Sequence, residues 1–194
     1  SSAASDVYKR QHYDFTMAFD REVPLLPVFV WFYILAFPFW AVGYLLAARR
    51  GKDMFYRFVA TDLTIHFICF ICFILIPTTN IRPEIAGNTI SEKLLALVYS
   101  LDGGRSPSNL FPSIHCYVSW MCWKGVEGSE KVPKWYQRFS LVFAILIIIS
   151  TQVLKQHYIV DAAAALLLVE FFWRFYQKGQ RHKWVVHIFA HKKK

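Results

Sequence analysis

Two long apolar stretches without a charged side chain constrain the fold of this chain more than any other feature. The first covers residues 25–48 and the second residues 139–154. A helix needs about 20 apolar residues to cross the hydrocarbon core of a bilayer. Hydrophobic residues make up 56% of the chain and charged residues only 18%, whereas soluble domains carry about 25% charged residues. The chain is therefore predicted to be a multi-pass integral membrane protein.

Apolar segments of sufficient length predict about five membrane-spanning helices. The third is the shortest, and prolines 27 and 38 are expected to kink the first. The segment 90–101 spaces its apolar residues at helical intervals, which predicts a short interfacial helix. The expected fold is an all-α polytopic membrane helical bundle that forms one domain over residues 12–194. The five expected spans are 24–48, 55–77, 112–125, 135–154 and 157–176.

The first eleven residues, SSAASDVYKRQ, differ in character from the rest of the chain. They resemble a translated linker, and residues 1–11 are interpreted as a non-native leader that takes no part in the fold. The natural N-terminus would then be missing.

The distribution of lysine and arginine predicts the orientation in the membrane. Fifteen of the 22 lie in the segments 49–57 and 124–138 and in the tail from Arg174, and seven lie in the alternate segments. Because cytoplasmic loops are enriched in lysine and arginine, the basic face is expected to be cytoplasmic. The loop 78–111 and Lys155 would then face outside the cytoplasm at the cell membrane. The net charge of +9 is thus a topology signal, and no nucleic-acid partner is expected.

Three polar segments fall at the outer ends of the predicted spans. They contain Arg82-Pro83, Pro112-Ser113-Ile114-His115, and the run from Lys155 to Asp161. His157 and Asp161 are four residues apart at the start of a helix and share one face. A carboxylate beside an imidazole fixes its tautomer and raises the basicity of the other ring nitrogen. His157 is therefore a candidate nucleophile and Asp161 its orienting residue.

The remaining polar residues complete a candidate phosphate site. His115 is a candidate proton donor to a leaving oxygen. Ser113 and nearby N–H groups at a helix start would bind an anion, and Arg82 and Lys155 would contact phosphate oxygens. Each residue also has a structural interpretation, such as a helix cap or a lysine that reaches the headgroups.

The spacing of acidic residues predicts neither a metal site nor a cofactor. Asp62, Glu84 and Asp102 do not form a carboxylate cluster by spacing. A metal cluster of His66, Cys69 and Cys72 is a weaker alternative, because cysteines in apolar segments are usually buried apolar side chains. The expected chemistry is accordingly metal-independent.

These segments resemble the motifs of the type 2 phosphatidic acid phosphatase superfamily. The family's third motif, Ser-Arg-x5-His-x3-Asp, is similar to Ser150-Thr151-x5-His157-x3-Asp161, and Pro-Ser-Gly-His is similar to Pro112–His115. The first motif ends in Arg-Pro, as at Arg82-Pro83. The resemblance runs from 82 to 161 and extends more loosely to 20–29, which looks like the opening of short bacterial members.

The resemblance implies roles for the matching residues. His157 would form a phosphohistidine that Asp161 holds, and His115 would protonate the leaving group. Arg82, Ser113 and a basic residue of the third motif would bind the phosphoryl group of a membrane lipid. The implied activity is hydrolysis of a lipid phosphomonoester or pyrophosphate on the outer membrane face, without a metal.

Three positions depart from the family pattern. Leu75 and Thr151 stand where the motifs have lysine and arginine, and Ile114 replaces the motif glycine. Lys155 and Arg105 are the candidate replacement cations, with Lys155 beside the nucleophile. Ile114 favours the phosphotransferases of the family, which move a phospholipid headgroup to a lipid acceptor, as inositol phosphorylceramide and sphingomyelin synthases do. A membrane transporter or scaffold with a decayed site is the non-enzymatic alternative.

Overall fold

The computed structural model describes residues 12–104 and 106–190, and this part of the chain is helical. The interpreted leader 1–11 and the candidate cation Arg105 lie outside the described residues. Apart from two isolated bridges, the described residues form helices and loops. The helices are α1 Ala18–Glu22, a 3₁₀ turn Pro27–Phe29, α2 Val30–Ala48, α3 Lys52–Leu75, α4 Ile90–Leu101, α5 Ile114–Val126, α6 Lys134–Val153, α7 Ile159–Gln177 and α8 Lys183–Ala190.

Polar side chains fix the starts of the helices around the candidate site. At α4, the Thr89 hydroxyl accepts from the Glu92 amide at 3.2 Å, and the Glu92 carboxylate accepts from the Thr89 amide at 3.3 Å. This reciprocal capping box satisfies two amides that a helix start leaves without partners. The Ser113 hydroxyl caps α5 by accepting from the Cys116 amide at 3.3 Å. The helix predicted over residues 90–101 is α4, and its observed bounds are the predicted ones.

Helix α5 lies at the centre of the bundle. It packs against α2, α3, α6 and α7, and nine of its thirteen residues are buried. Its side chains Tyr117 and Met121 are fully buried in the main hydrophobic core. Because α5 contacts other helices and little else, its sequence is less uniformly apolar than that of a lipid-facing span.

Two glycines allow the helices to approach α5 closely. A Cβ atom added at Gly43 in α2 would lie 2.6 Å from Cys122 Sγ, and one at Gly125 would lie 2.9 Å from Phe58 Cε2. Small residues at such contacts are typical of helix packing in membranes. The tight packing around α5 thus depends on the absence of side chains at these two positions.

Three of the described helices are long and apolar enough to cross a membrane. They are residues 27–48, residues 52–75 and α6. The sequence predicted five spans. Helix α5 has only 13 residues, and α7 contains the three charged residues Asp161, Glu170 and Arg174. These two helices therefore fall short of the length or apolarity of a lipid-facing span.

A polar cluster lies within the apolar part of the bundle. The Tyr44 hydroxyl donates to Asp62 Oδ1 at 2.7 Å, and His66 Nδ1 lies 3.1 Å from the Asp62 carbonyl. The Tyr117 hydroxyl contacts the His66 ring at 2.5 Å. His66 therefore bonds to oxygen atoms, and the described residues contain no group of three or more His, Cys, Asp or Glu that could hold a metal.

The segments 12–29, 76–104, 106–113 and 154–158 come together at one end of the bundle, which we call the long-loop end. Tyr13 N donates to Pro77 O at 2.8 Å, and Leu26 N donates to Val153 O at 3.0 Å. Asn109 N donates to Thr78 O at 2.9 Å. These backbone bonds fasten the N-terminal segment and residues 106–110 over the helix starts that carry the candidate site.

Candidate active site

The starts of α5 and α7 meet at the long-loop end. Ser113 N donates to Asp161 O at 3.3 Å, which joins the two helices directly. The rings of His115 and His157 lie 5.9 Å apart between centroids, with their planes at 51°. The structure therefore brings together His157, Asp161 and His115, which were the three predicted catalytic residues.

The Asp161 carboxylate is buried and faces His157. Its Oδ2 atom lies 3.4 Å from His157 Nδ1 and accepts from the Tyr158 amide at 3.0 Å. Asp161 is 1% exposed and His157 8% exposed. A carboxylate that receives Nδ1–H leaves Nε2 of the same ring unprotonated and free to act as a nucleophile.

A tight turn between α6 and α7 holds His157. The amides of Gln156 and His157 both donate to Thr151 O, at 2.9 and 3.1 Å. Lys155 has a φ of 52°, a left-handed conformation that is uncommon outside glycine. The turn thus fixes the backbone on both sides of the candidate nucleophile.

His115 lies against an aromatic wall formed by α2. Its ring stacks on Tyr33 at 4.4 Å between centroids and lies 5.2 Å from the Trp40 ring. In the described part of the chain, His115 Nε2 is a buried atom without a hydrogen-bond partner. Since buried polar atoms are nearly always bonded, this nitrogen is suited to meet a polar group of a bound substrate.

Both histidines line one cavity of about 270 Å³. Asp102 is the acidic residue of its wall, and the other walls are mainly aromatic and aliphatic. An apolar pocket with a few convergent polar groups is typical of small-molecule sites. Its lining residues are Tyr33, Phe37, Trp40, Asp102, Ser108, Asn109, Leu110, Ile114, His115 and His157.

Arg82 is fully buried and is neutralised by Asp102. Its guanidinium donates to the Asp102 carboxylate at 2.6 Å, to the Asp102 and Gly104 carbonyls at 2.8 and 3.1 Å, and to Gln156 Oε1. The guanidinium also lies 4.8 Å from the centre of the Tyr99 ring. Arg82 therefore stands behind Asp102, and the cavity beside the histidines presents the carboxylate.

Lys155 points away from the two histidines. Its ammonium donates to Asp20 O at 2.7 Å and to Val23 O at 2.5 Å, and burial lowers its pKa. It lines a separate polar cavity of about 420 Å³, together with Arg82, Arg21 and Tyr158. The Ser113 hydroxyl is engaged as the cap of α5.

The structure adds residues that the sequence did not single out. Asp20 is buried, and its carboxylate accepts from the Ile159 amide at the start of α7 at 2.9 Å. Tyr33, Phe37 and Trp40 line the cavity from α2, and their i, i+4, i+7 spacing is the signal that would have indicated one helix face. No spacing in the sequence indicated that Asp102 would line the cavity, because its pairing with Arg82 depends on how the intervening loop folds.

Comparison with known proteins gives one finding. A family model described as the PAP2 superfamily matches residues 11–174. No curated protein and no solved structure matches the chain significantly. The matched region includes α5, the turn that holds His157 and α7 as far as Arg174. Since the match spans most of the chain, this protein belongs to the PAP2 superfamily, the type 2 phosphatidic acid phosphatase superfamily.

Proposed function

We propose that this protein transfers a phosphoryl group from a membrane lipid phosphate through a phosphohistidine at His157, and that water is the acceptor. The observation that supports this most is the meeting of His157, Asp161 and His115 around one cavity. The substrate would be a lipid phosphomonoester or pyrophosphate. The reaction uses protein groups alone and requires no metal.

The proposed reaction has two steps. In the first, His157 Nε2 attacks phosphorus, the bond from phosphorus to the ester oxygen breaks, and His115 donates a proton to the leaving oxygen. In the second, His115 takes a proton from water, which attacks the phosphohistidine and releases phosphate. Asp161 stabilises the positive charge that develops on the His157 ring.

Five helices would cross the membrane in this proposal, namely α2, α3, α5, α6 and α7. The distribution of basic residues supports this topology, because the segments 49–57 and 124–138 and the C-terminal tail would share the cytoplasmic face. The long-loop end, with His157, would face outside the cytoplasm. The central position of α5 among other helices explains why its apolar stretch is short.

The charge of the cavity supports phosphotransfer as a second candidate function. Asp102 lines the cavity, and Arg82 is already paired with it. A phosphomonoester carries up to two negative charges and would be repelled by this carboxylate, whereas the phosphodiester of a phospholipid carries one. His157 would then attack the phosphodiester, the bond from phosphorus to the diacylglycerol oxygen would break with release of diacylglycerol, and the phosphorylated headgroup on His157 would pass to a lipid alcohol.

Two assays with purified protein in detergent test these proposals. Phosphate release from phosphatidic acid reports hydrolysis, and transfer of a labelled headgroup to an added lipid alcohol reports phosphotransfer. We expect His157→Ala to abolish the activity, whereas the control His187→Ala, on exposed α8, leaves it unchanged. Equal activity of His157→Ala and wild type would rule out the phosphohistidine, and inactivity in both assays would favour a scaffold or transporter.

A further inference from the structure

A basic cavity where α7 ends takes no part in the proposed reaction. It has a volume of about 400 Å³, and its cations lie at the opposite end of α7 from the His157 turn. Three cations line it, Arg174, Lys178 and Arg181. We propose that this cavity binds the headgroup of an anionic phospholipid, with an acyl chain lying along α7.

Local structure brings the three cations to one place. Arg174 lies in the last turn of α7, and Lys178 is the residue at which the helix ends. Gly179, with a φ of 64°, turns the chain back after the helix ends. The Arg181 guanidinium then lies 4.3 Å from the centre of the Phe175 ring. Because this stacking holds Arg181 in position, less freedom is lost when it binds an anion.

The negative groups near the cavity are already compensated. A helix C-terminus ordinarily repels anions, but Arg57 donates to the terminal carbonyls of Tyr176 and Gln177 at 2.7 and 2.8 Å. The one carboxylate of the lining, Glu170, contacts Arg174 at 3.4 Å and also Lys124 at 3.1 Å. The cavity therefore keeps a net positive charge, which favours a phosphate group.

An apolar groove continues from the cavity along α7. Leu167 is 71% exposed and Phe171 63% exposed, and both also line a second, nearly wholly apolar cavity of about 450 Å³. That cavity extends past Cys72 on α3 to Phe111 and Pro112 at the long-loop end. The groove is long enough for an acyl chain, since its lining on α7 runs from Ala164 to the helix end at Lys178, a rise of about 21 Å.

The cations at the end of α7 are followed along the helix by the apolar groove, and this order identifies the occupant as a lipid. If α7 crosses the membrane as proposed above, the cations lie at the interface and the groove lies in the hydrocarbon layer. A phospholipid has the same order, with an anionic phosphate followed by apolar chains. Basic pockets at the cytoplasmic ends of spans bind anionic headgroups for this reason. The inference rests on the proposed topology and is independent of the phosphohistidine.

Native mass spectrometry in detergent tests this site. Binding of phosphatidylglycerol and of phosphatidylcholine would be measured in a His157→Ala background, so that no lipid is consumed. We expect phosphatidylglycerol to bind at least about tenfold more tightly, because each basic residue near an anionic headgroup contributes up to about a fivefold factor and Glu170 offsets part of the charge of Arg174. The variant Arg174→Gln/Lys178→Gln/Arg181→Gln should lose this preference.

Two further variants separate the site from general effects. Lys52→Gln/Lys134→Gln/Arg138→Gln removes three exposed cations elsewhere at the same end of the bundle and should keep the preference. Leu167→Trp should weaken phosphatidylglycerol binding by filling the groove without a change of charge. If the triple variant is unfolded by its thermal melting curve, Arg181→Gln alone should lose about fivefold.

Several results would overturn the proposal. One is equal binding of both lipids by the His157→Ala parent, and another is a preference for phosphatidylglycerol that survives loss of the three cations. The proposal would also fail if the control variant lost the preference equally, or if Leu167→Trp bound phosphatidylglycerol as tightly as the parent. A dimer that dissociates in the triple variant while lipid binding stays unchanged would identify a second copy of the chain as the occupant instead.

Discussion

The Asp161 carboxylate connects the fold and the proposed chemistry at the scale of single residues. Its Oδ2 atom meets both the His157 ring and the Tyr158 amide. The spacing of His157 and Asp161 predicted this pairing, although His157 lies two residues before α7 begins and reaches Asp161 from the preceding turn. The pairing of Arg82 with Asp102 was not predictable, because the two residues are 20 positions apart with a loop and α4 between them.

The first prediction concerns Asp161→Asn. The amide oxygen can still accept from the Tyr158 amide, so we expect thermal stability to change little. The His157 ring loses the carboxylate that fixes its tautomer, and kcat should fall about 10²- to 10⁴-fold with little change in KM. Steady-state kinetics on phosphatidic acid measures this, with the exposed Glu130→Gln as control. A kcat close to that of wild type would show that Asp161 only caps α7.

The second prediction concerns Asp102→Asn. This change removes the negative charge from the cavity wall and releases the charge of Arg82 toward the cavity. The ratio of kcat/KM for phosphatidic acid to that for phosphatidylcholine should rise about tenfold, which corresponds to ~1.4 kcal/mol. Asp14→Asn, in the neighbouring polar cavity, should leave the ratio unchanged. An unchanged ratio in Asp102→Asn would mean that this carboxylate does not select the substrate.

At the scale of helices, the sequence predicted the elements with a long apolar run or, as in α4, a clear helical spacing, and missed the two shortest α-helices of the described residues. Helix α1 has five residues and α8 has eight. Neither segment is long enough for the spacing of its apolar residues to predict a helix. The end of α1 is held by Lys155, whose ammonium bonds to the Asp20 and Val23 carbonyls. Such distant contacts leave no periodic signal in the sequence.

The third prediction concerns the contact between α2 and α5. In Gly43→Ala the added methyl group would meet Cys122 at 2.6–2.7 Å, so the two helices must separate. We expect a loss of about 1–3 kcal/mol in the free energy of unfolding, read as a lower thermal melting temperature in detergent. Ala41→Val, at an exposed position of the same helix, should have little effect.

A second substitution checks that the cause is steric. Cys122→Gly removes the atoms that the new methyl group meets, so the double variant with Gly43→Ala should lose less stability than the sum of the two single changes. Additive losses would contradict the close approach of α2 and α5.

The whole molecule has two chemically different ends. The long-loop end holds the histidines, and the other end carries the basic segments and the proposed lipid site. The bias of lysine and arginine predicted this asymmetry from sequence. It did not predict the inward direction of Arg82 or the turn of Lys155 toward α1, because both depend on how the loops fold over the helix ends.

The fourth prediction tests the proposed topology. Asn88→Cys lies in the long loop and Glu130→Cys in a loop at the basic end, and both positions are exposed. In intact cells, a membrane-impermeant maleimide should label Asn88→Cys above the wild-type background, and it should label Glu130→Cys only after permeabilisation. Labelling in the reverse order would place His157 on the cytoplasmic side.

The bonds of the N-terminal segment have a practical consequence for work with this protein. Asp20 caps α7 two residues after His157, and Lys155 anchors the same segment from the other side. The geometry of the reactive turn is thus set partly by residues some 135 positions earlier in the chain. A truncation beyond Met17 would loosen the histidine even though every motif residue remained. A fusion partner therefore belongs at the C-terminus.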